Sequence, residues 1–578
     1  MVAWPQLGEH GLGLVLVWAW TALAGFAVLP WLRLRVGLAG IPLVGTVFWT
    51  LALYLFPFKS GLDVAAGLVI VLAAIQCVKL YRNGISARTA FSWSTVILLI
   101  GSFPYLTTLL CQYVPFGMDG SMHTTASVLI GLAGGLPTSH APYAADVPFP
   151  PMNIGLSSLA GVAIRWGGEP AAVMLATHHL TFTLLILASY VLLRRWTTRT
   201  PAAVIAVASA WMARASEASL EWGGFPTVLS VAIGLFAASL LMQLSRSANW
   251  RVALAAGATV AAIPLIHGVG AGTWLYCVGP WIVLATLIQS RARFATLRAL
   301  ALSGVAAALV LVVYRAAGPI DVQAGDMDNT RVWQESSTTL GEPVFLSALG
   351  YIRKDAGSII VIAGWAALAV LGLRRQWLAF ALLGAAWLTM AVVVANSRWW
   401  VLPASFLLYP ERTIYWAAPL TAVTLALAWR TLPAVIKSHH MALGVLALVL
   451  LGVAGYFQNN FYQKIVREDF VNADGWEALA WAKQHLKSDR DFVQTPYGST
   501  GSFLPAIAQI GCTGAHHHHF IARQVAQSQQ QRTITHALAD RALAPNAELP
   551  AGTIVFQNRT ITIVEVAGTT ARAHANTD

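Results

Sequence analysis

A few ionisable residues stand out against a mostly apolar chain. Asp119 and His123 lie four apart in "GMDGSMHTTASVLIGLAGG" and would share one face of a helix. A carboxylate placed there can accept a proton as a general base, with an imidazole one turn away. Asp119 also reads as the N-cap of a helix starting at Gly120, and the two roles are compatible. Asp146, in "YAADVPFP", is a second carboxylate and reads either as a ligand or as a turn residue. Glu217 and Glu221 again share a helical face, suited to a divalent metal or an aminosugar, or to a solvated helix end. His267, in "IPLIHGVGA", reads either as a site residue or as a satisfied interfacial histidine. Arg398 and Arg412 remain; a guanidinium fork pairs with phosphate oxygens, whereas Arg412 beside Glu411 is also a plain interfacial ion pair. The run His516–His519 reads as an exposed polar stretch, because metal sites draw ligands from separated positions.

The elements that must position these residues are set by hydropathy. The chain has 578 residues, 57% hydrophobic and 10% charged, with a mean hydropathy of +0.64. Soluble domains carry about 25% charged residues. Apolar runs near the roughly 20 residues needed to cross a bilayer recur up to residue 460. They are Leu12–Leu29, Val36–Pro57, Val64–Val78, Ser94–Leu110, Ala171–Leu193, Thr227–Leu244 and Arg251–Pro264. Gly272–Ile288, Ala299–Val313, Ser358–Leu373, Trp377–Ala395, Ile414–Trp429 and Met441–Tyr456 follow, with Pro201–Met212 a weaker candidate. The expected fold is an all-α polytopic transmembrane helix bundle of about 13–14 spans. The first segment has no basic stretch before it and reads as a retained span.

The net charge of +12 points to topology, not to nucleic acid. Basic residues cluster in every second break: Arg33 and Arg35, Lys79 to Arg88, Arg194 to Arg199, Arg246 and Arg251, Arg291 to Arg298, Arg374 and Arg375, Arg430 and Lys437. The positive-inside rule places those breaks in the cytoplasm. The candidate residues and the C-terminal tail then fall on the outer face of an inner (plasma) membrane. Tryptophan belts account for most aromatics. The four cysteines, Cys77, Cys111, Cys277 and Cys512, form neither a disulfide framework nor a thiolate metal site.

The stretch from Val114 to Gly155 holds two aspartates, two histidines and six prolines between apolar segments. Its "MDGSMHTTASVLIGLAGG" part reads as an amphipathic helix lying along the outer interface, and Ile154–Ile164 as an apolar run short of a full span. After Tyr456 charge density becomes ordinary. Asp474, with Glu477 three residues on, fits a capping box for a helix Trp476–Leu486. "DFVQT" reads as a strand and "TIVFQNRTITIVEV" as a hairpin about Gln557–Asn558. The organisation expected is 1–91, extra N-terminal transmembrane helices; 92–457, a transmembrane core with its first outer loop at 113–155; 458–570, a small extramembrane α/β domain; and 571–578, a disordered tail.

In this order of pieces the chain resembles GT-C-type glycosyltransferases, polytopic enzymes that use polyprenyl-phosphate-linked sugars, in their uncharacterised bacterial branch. The resemblance rests on the outer Asp119, the helix after it, "GGLP" and the Pro/Tyr/Asp segment, and runs over most of Ser92–Asp491. "EWGGFPTVLSVAIGLFA" is similar to the aromatic–Gly–Pro entry of a middle span, "IPLIHGVGA" to a His-containing outer turn, and "YPERTIYWAAPL" to an Arg-bearing re-entry. "RWW" at Arg398–Trp400 lacks the aspartate of the oligosaccharyltransferase "WWD", and the three spans before Ser92 are additional to the usual plan.

The resemblance implies an inverting transfer of a sugar from a polyprenyl-phosphate donor to a cell-envelope glycan, lipid or protein acceptor. Asp119 and His123 would be catalytic. Asp146, Glu217, Glu221, His267, Arg398 and Arg412 would bind substrate, Arg412 at the phosphate. The resemblance fixes no cofactor and leaves a divalent metal ion open. The first outer loop, the "EWGGFP" turn, His267 and Arg412 should converge on one cavity that continues into an apolar groove. Two rival readings are a non-catalytic scaffold of the same architecture and a secondary transporter, the latter disfavoured because charges gather at the edge and not at mid-membrane.

Overall fold

A computed structural model describes residues 4–82 (without 33 and 35), 92–149 (without 116), 154–213, 223–317, 340–432, 471–515, 531–544 and 550–570, with positions 331–332, 334–335, 452 and 528. The apolar segments form helices throughout. Helices α1 (Trp4–Leu32), α2 (Gly40–Leu55), α3 (Gly61–Arg82) and α4 (Trp93–Cys111) come first. Next are α5 (Gly117–Ala133), a hairpin of β1 (Ser139–His140) and β2 (Ala144–Pro148), and α6 (Gly155–Arg165). Long helices α7 (Pro170–Leu193), α8 (Arg199–Trp211), α9 (Phe225–Leu244) and α10 (Trp250–Ile266) follow, then α11 (Gly268–Cys277), α12 (Gly279–Gln289) and α13 (Arg293–Ala317). The bundle closes with α14 (Val344–Ala356), α15 (Ser358–Leu373), α16 (Trp377–Trp399), the single turn α17 (Pro410–Thr413) and α18 (Ala417–Thr431).

Among the described residues, six helices are long and apolar enough to cross a membrane, and two bent pairs raise the number to eight. The bend is 44° between α11 and α12 and 119° between α14 and α15. Three shorter apolar helices, α2, α10 and the Trp93–Leu106 part of α4, accompany them. The thirteen to fourteen expected from hydropathy is therefore larger than the number of unbroken long helices. Hydropathy registers apolar runs but not where a helix stops, so Val36–Pro57 and Arg251–Pro264 fall in helices below span length and Gly272–Ile288 crosses the break between α11 and α12. Pro201–Met212 falls in the 13-residue α8, and Met441–Tyr456 lies outside the described residues apart from Gly452.

Burial separates the centre of the bundle from its rim. The apolar windows of α7 and α9 are 94% and 100% buried inside the protein, against 39% for α3 and 22% for α13. Lipid-facing helices keep apolar surface exposed, so α3 and α13 lie at the periphery. Helices α1 and α2 meet backbone to backbone: a Cβ at Gly25 would overlap the Ile41 carbonyl, and one at Gly45 the Thr21 carbonyl. Small residues that admit such an approach are a common basis of helix association in membranes.

Helix α5 departs from expectation. It is not an interfacial amphipathic helix; most of it is buried, from Gly117 to Gly131, between α6 and the tail. Its polar residues satisfy themselves along their own helix. Thr124 Oγ1 donates to the Gly120 carbonyl (2.6 Å), Thr125 Oγ1 to Ser121 (2.9 Å) and Ser127 Oγ to His123 (2.7 Å). A hydroxyl paired this way is buried without the penalty of an unmade bond.

The tail is an α/β unit. Helix α19 (Ala473–His485) packs with a short α20 (Leu504–Ile507) against a five-stranded sheet of order β4-β3-β5-β7-β6. The strands are β3 (Phe492–Gln494), β4 (Gly511–Cys512), β5 (Thr533–Asp540), β6 (Thr553–Gln557) and β7 (Ile561–Thr570); β3 is parallel to β4 and β5, and the β5–β7–β6 part is antiparallel. The expected "DFVQT" strand and the hairpin are present, while β5 went unrecognised. The cap of α19 is Asn472, whose Oδ1 accepts from Gly475 N at 2.9 Å, not Asp474. Asp474 instead pairs with Arg559 at 3.1 Å and accepts from Thr560 Oγ1 at 3.0 Å, tying the helix to the β6–β7 turn. Residues 571–578 lie outside the described residues.

The tail is docked on the first loop. Val114 and Ala171 join its core of Leu479, Phe503, Leu504 and Ile507. Tyr143 Oη donates to the Pro505 carbonyl at 2.6 Å, and Arg532 Nη1 donates to the Tyr143 carbonyl at 3.1 Å. Burial raises the pKa of the Tyr143 hydroxyl, which stays protonated as donor.

Candidate functional site

Asp119 sits in the first turn of α5, which begins at Gly117 with φ +69°. The helix therefore starts earlier than a cap at Asp119 would require. A carboxylate in a first turn is still favoured, by the N-terminal end of the helix dipole. His123, one turn on, is buried.

His267 stands where α10 ends and α11 begins, belonging to neither helix. Its φ of −160° and ψ of 110° make it both the C-cap of the first and the N-cap of the second. Pro264 and Gly268 flank this break. Nδ1 accepts from Gly270 N at 3.1 Å, so the ring proton of the neutral imidazole belongs on Nε2. Burial pushes its pKa down to about 3, and the positive charges of Arg412 and His123 add to that, while Asp119 pulls the other way. His267 is thus neutral and within electrostatic reach of Asp119, His123 and Arg412 together.

Arg412 lies in α17, a turn between Pro410 and Thr413 that leads through a 3-10 turn, Ile414–Trp416, into α18. Its Nη1 pairs with Glu411 Oε2 at 3.2 Å, and its side chain is 14% exposed. The segment before it is fixed by the fully buried Asn396 near the end of α16. Asn396 Nδ2 donates to Ser405 Oγ at 3.0 Å, and Oδ1 accepts from Val401 N and Leu402 N, each at 2.9 Å. Gln334 Nε2 adds a bond to the Ser405 carbonyl at 3.2 Å. Tyr351 of α14 lies within the electrostatic reach of Glu411, Asp355 and Arg412. None of Asn396, Gln334 or Tyr351 was singled out from the sequence. The only signal was an amide in an apolar span.

Trp416 lines an apolar groove. Its Nε1 donates to Thr273 Oγ1 (3.1 Å) of α11, the helix that His267 caps, and Trp416 follows Arg412 by one turn of chain. The groove, about 150 Å³ in volume, lies between α9, α12, α16 and α18 and is lined by Cys277, Trp281, Gln289 and Met390, with Trp196 after α7.

The tail contributes as well. Tyr497 lies in the field of Asp119, which raises the phenol pKa after the larger effect of burial. A Cβ at Gly498 would touch Met118 Sδ at 3.8 Å, so this loop lies on the start of α5. Tyr497 was not among the sequence candidates, because its partner is remote along the chain.

The structure thus brings together Asp119, His123, His267 and Arg412. Asp146 is exposed in strand β2, not in a turn, and accepts a hydrogen bond from Ser528 Oγ at the seam between hairpin and tail. Arg398 is exposed on the last turn of α16. Glu217, Glu221 and His516–His519 lie outside the described residues. Among the described residues no group of three or more His, Cys, Asp or Glu is arranged to hold a metal ion.

No family model and no curated protein matches the chain. Two solved structures are similar to it in helix arrangement. The Archaeoglobus fulgidus oligosaccharyltransferase in its apo form is 13% identical, over 79% of this chain and 71% of that one, with a TM-score of 0.44. ArnT from Cupriavidus metallidurans in the apo state is 12% identical, over 82% of this chain and 97% of that one, with a TM-score of 0.49. Identities of this size align helices, not site residues.

Proposed function

We propose that this chain is an inverting GT-C-type glycosyltransferase, moving a sugar from a polyprenyl-phosphate donor to a cell-envelope acceptor on the outer face of the membrane. The observation that carries the reading is the joining of two chemistries at one point. A carboxylate, two histidines and an arginine lie within electrostatic reach of one another, and Trp416, one turn of chain after the arginine, lines an apolar groove. An amphiphile with a phosphate head and a long apolar chain fits that combination. The chain lies in the groove, and the phosphate rests at Arg412.

The step needs one base. Asp119 takes the proton of an acceptor hydroxyl as its oxygen attacks the anomeric carbon from the face opposite the phosphate. The bond from that carbon to the phosphate oxygen breaks, and the electron pair leaves with the polyprenyl phosphate. The arginine fork offers paired donors to the phosphate as charge develops. Neutral His267 donates from Nε2 without adding a second cation. A single-displacement transfer of this kind inverts the anomeric centre.

Sugar transfer from polyprenyl-phosphate donors by purified protein tests the reading. Asp119→Asn should lower the rate on the order of 10²–10⁴-fold, with its melting temperature unchanged. Equal turnover in variant and wild type would end the role of Asp119. No turnover in either, over every plausible donor, would favour the scaffold alternative. Sidedness has its own check: reporter fusions at Asp578 and Thr198 should fall in opposite compartments, the tail being external, and matching compartments would overturn the orientation.

A further inference from the structure

The loop around Tyr497 is braced far beyond what a surface connection needs. Thr513 Oγ1 donates to the Thr495 carbonyl and accepts from Thr495 N, each at 3.0 Å. Thr495 Oγ1 and Ser499 Oγ share a bond of 2.8 Å, and Ser499 Oγ donates to the Pro496 carbonyl at 2.7 Å. Thr500 N reaches Asp540 Oδ2 at 3.2 Å, and Ser502 Oγ reaches the Gly514 carbonyl at 2.7 Å. Gly498, at φ +76°, turns the chain back over Met118, next to Asp119. The residues just after it, the 3-10 turn Thr500–Phe503 and α20, pack on α5 itself. Ordering a loop costs conformational entropy, so one fixed this firmly holds what it presents. It presents one large side chain, Tyr497, which is 51% exposed although its backbone is immobilised.

A half-exposed aromatic ring held beside a carboxylate has a definite binding chemistry. The ring face is apolar and rigid, with few rotamers to freeze on binding. A pyranose has one face of C–H groups and an edge of hydroxyls, so it can lay the first on the ring and turn the second to the carboxylate. We propose that Tyr497 is the acceptor-binding residue, carrying the apolar face of an acceptor sugar so that one of its hydroxyls meets Asp119. The acceptor is accordingly a carbohydrate that enters from the aqueous side, since Tyr497 belongs to the tail and not to a span. This deepens, and rests on, the reading of Asp119 as the base.

The test uses the full chain in lipid nanodiscs and methyl β-glycosides of glucose, galactose, mannose and N-acetylglucosamine, with saturation-transfer NMR as the readout. At least one glycoside should bind the wild type. Tyr497→Ala should weaken it roughly tenfold, the size of an aromatic contact of this kind, whereas Tyr497→Phe should stay near the wild type because the ring remains. No glycoside bound by the wild type, equal binding by Tyr497→Ala, or a Phe variant as weak as the Ala variant would each overturn the proposal. With a transferring preparation, Tyr497→Ala should raise KM for the saccharide acceptor while leaving kcat and the donor KM near wild type; a change in donor KM alone counts against it. Saccharide binding that depends on Tyr497 without any transfer would sink the glycosyltransferase reading and leave this site. Transfer that ignores Tyr497 would do the reverse.

Discussion

Asp119 and Arg412 act on the same histidine, His267, from elements built in opposite ways. Asp119 opens a helix buried on both sides, against α6 and against the tail, so packing fixes its place. Arg412 sits on a single turn after a loop that has little helix to lean on, and a handful of amide bonds from Asn396 and Gln334 fixes that loop. The comparison shows that one site draws its rigidity from two sources. Packed interiors resist displacement in every direction. A hydrogen-bonded loop resists only along its bonds, and suits the role proposed for Arg412, admitting and releasing a large amphiphile.

The largest effect should come from the packed half. If His123 takes over part of the proton transfer when Asp119 is gone, Asp119→Asn with His123→Ala should be slower than Asp119→Asn alone. The assay is single-turnover transfer at saturating donor. A double variant no slower than the single one would confine the chemistry to Asp119 and reduce His123 to packing.

The loop half should show in binding. Arg412→Ala should raise the donor KM roughly 10–100-fold, the worth of a charge-assisted hydrogen bond. Arg412→Lys should lie between, since it keeps the charge without the fork. Asn396→Ala leaves two backbone N–H groups without their acceptor and should lower stability by about 1–3 kcal/mol. Its donor KM should rise by less than that of Arg412→Ala. If Arg412→Ala lowered the melting temperature as much as Asn396→Ala does, the arginine would be a structural member of the loop, and the contrast between the two halves would fail.

How far the sequence foretold this follows the same division. Hydropathy located the spans, and the residues of "IPLIHGVGA" and "YPERTIYWAAPL" marked His267 and Arg412, since each sits at a break in an apolar run. It misjudged α5, because Thr124, Thr125 and Ser127 read as a polar face although each hydroxyl bonds back to its own helix. Strand β5 escaped because "TITHALAD" mixes His536 and small alanines, without the β-branched run that marked its neighbour β7. Tyr497 and Asn396 depend on contacts between distant parts of the chain, which no local pattern encodes.

The smallest effect should be a pH dependence that links the two halves through His267. In the unfolded chain this imidazole titrates near 6.5, while in the folded protein burial, reinforced by Arg412, lowers it to about 3. As pH falls from 6.5 towards 3, the unfolded chain takes up a proton that the folded protein refuses, so stability is lost across that window and is fully present above it. His267→Asn removes the titrating group and keeps an N-cap oxygen for Gly270 N. The thermal midpoint of the wild type should therefore fall further than that of His267→Asn between pH 7.5 and 4.5, by roughly 2–4 °C. The transfer rate of the wild type should show no break from His267 in the same range, since the ring is neutral throughout. Removing the neighbouring cation with Arg412→Ala should raise the histidine's pKa and so shrink the further loss between pH 4.5 and 3, the range in which the folded imidazole takes up its proton. A loss that Arg412→Ala leaves unchanged would mean that burial alone sets the titration, and that the arginine and the histidine do not act on each other.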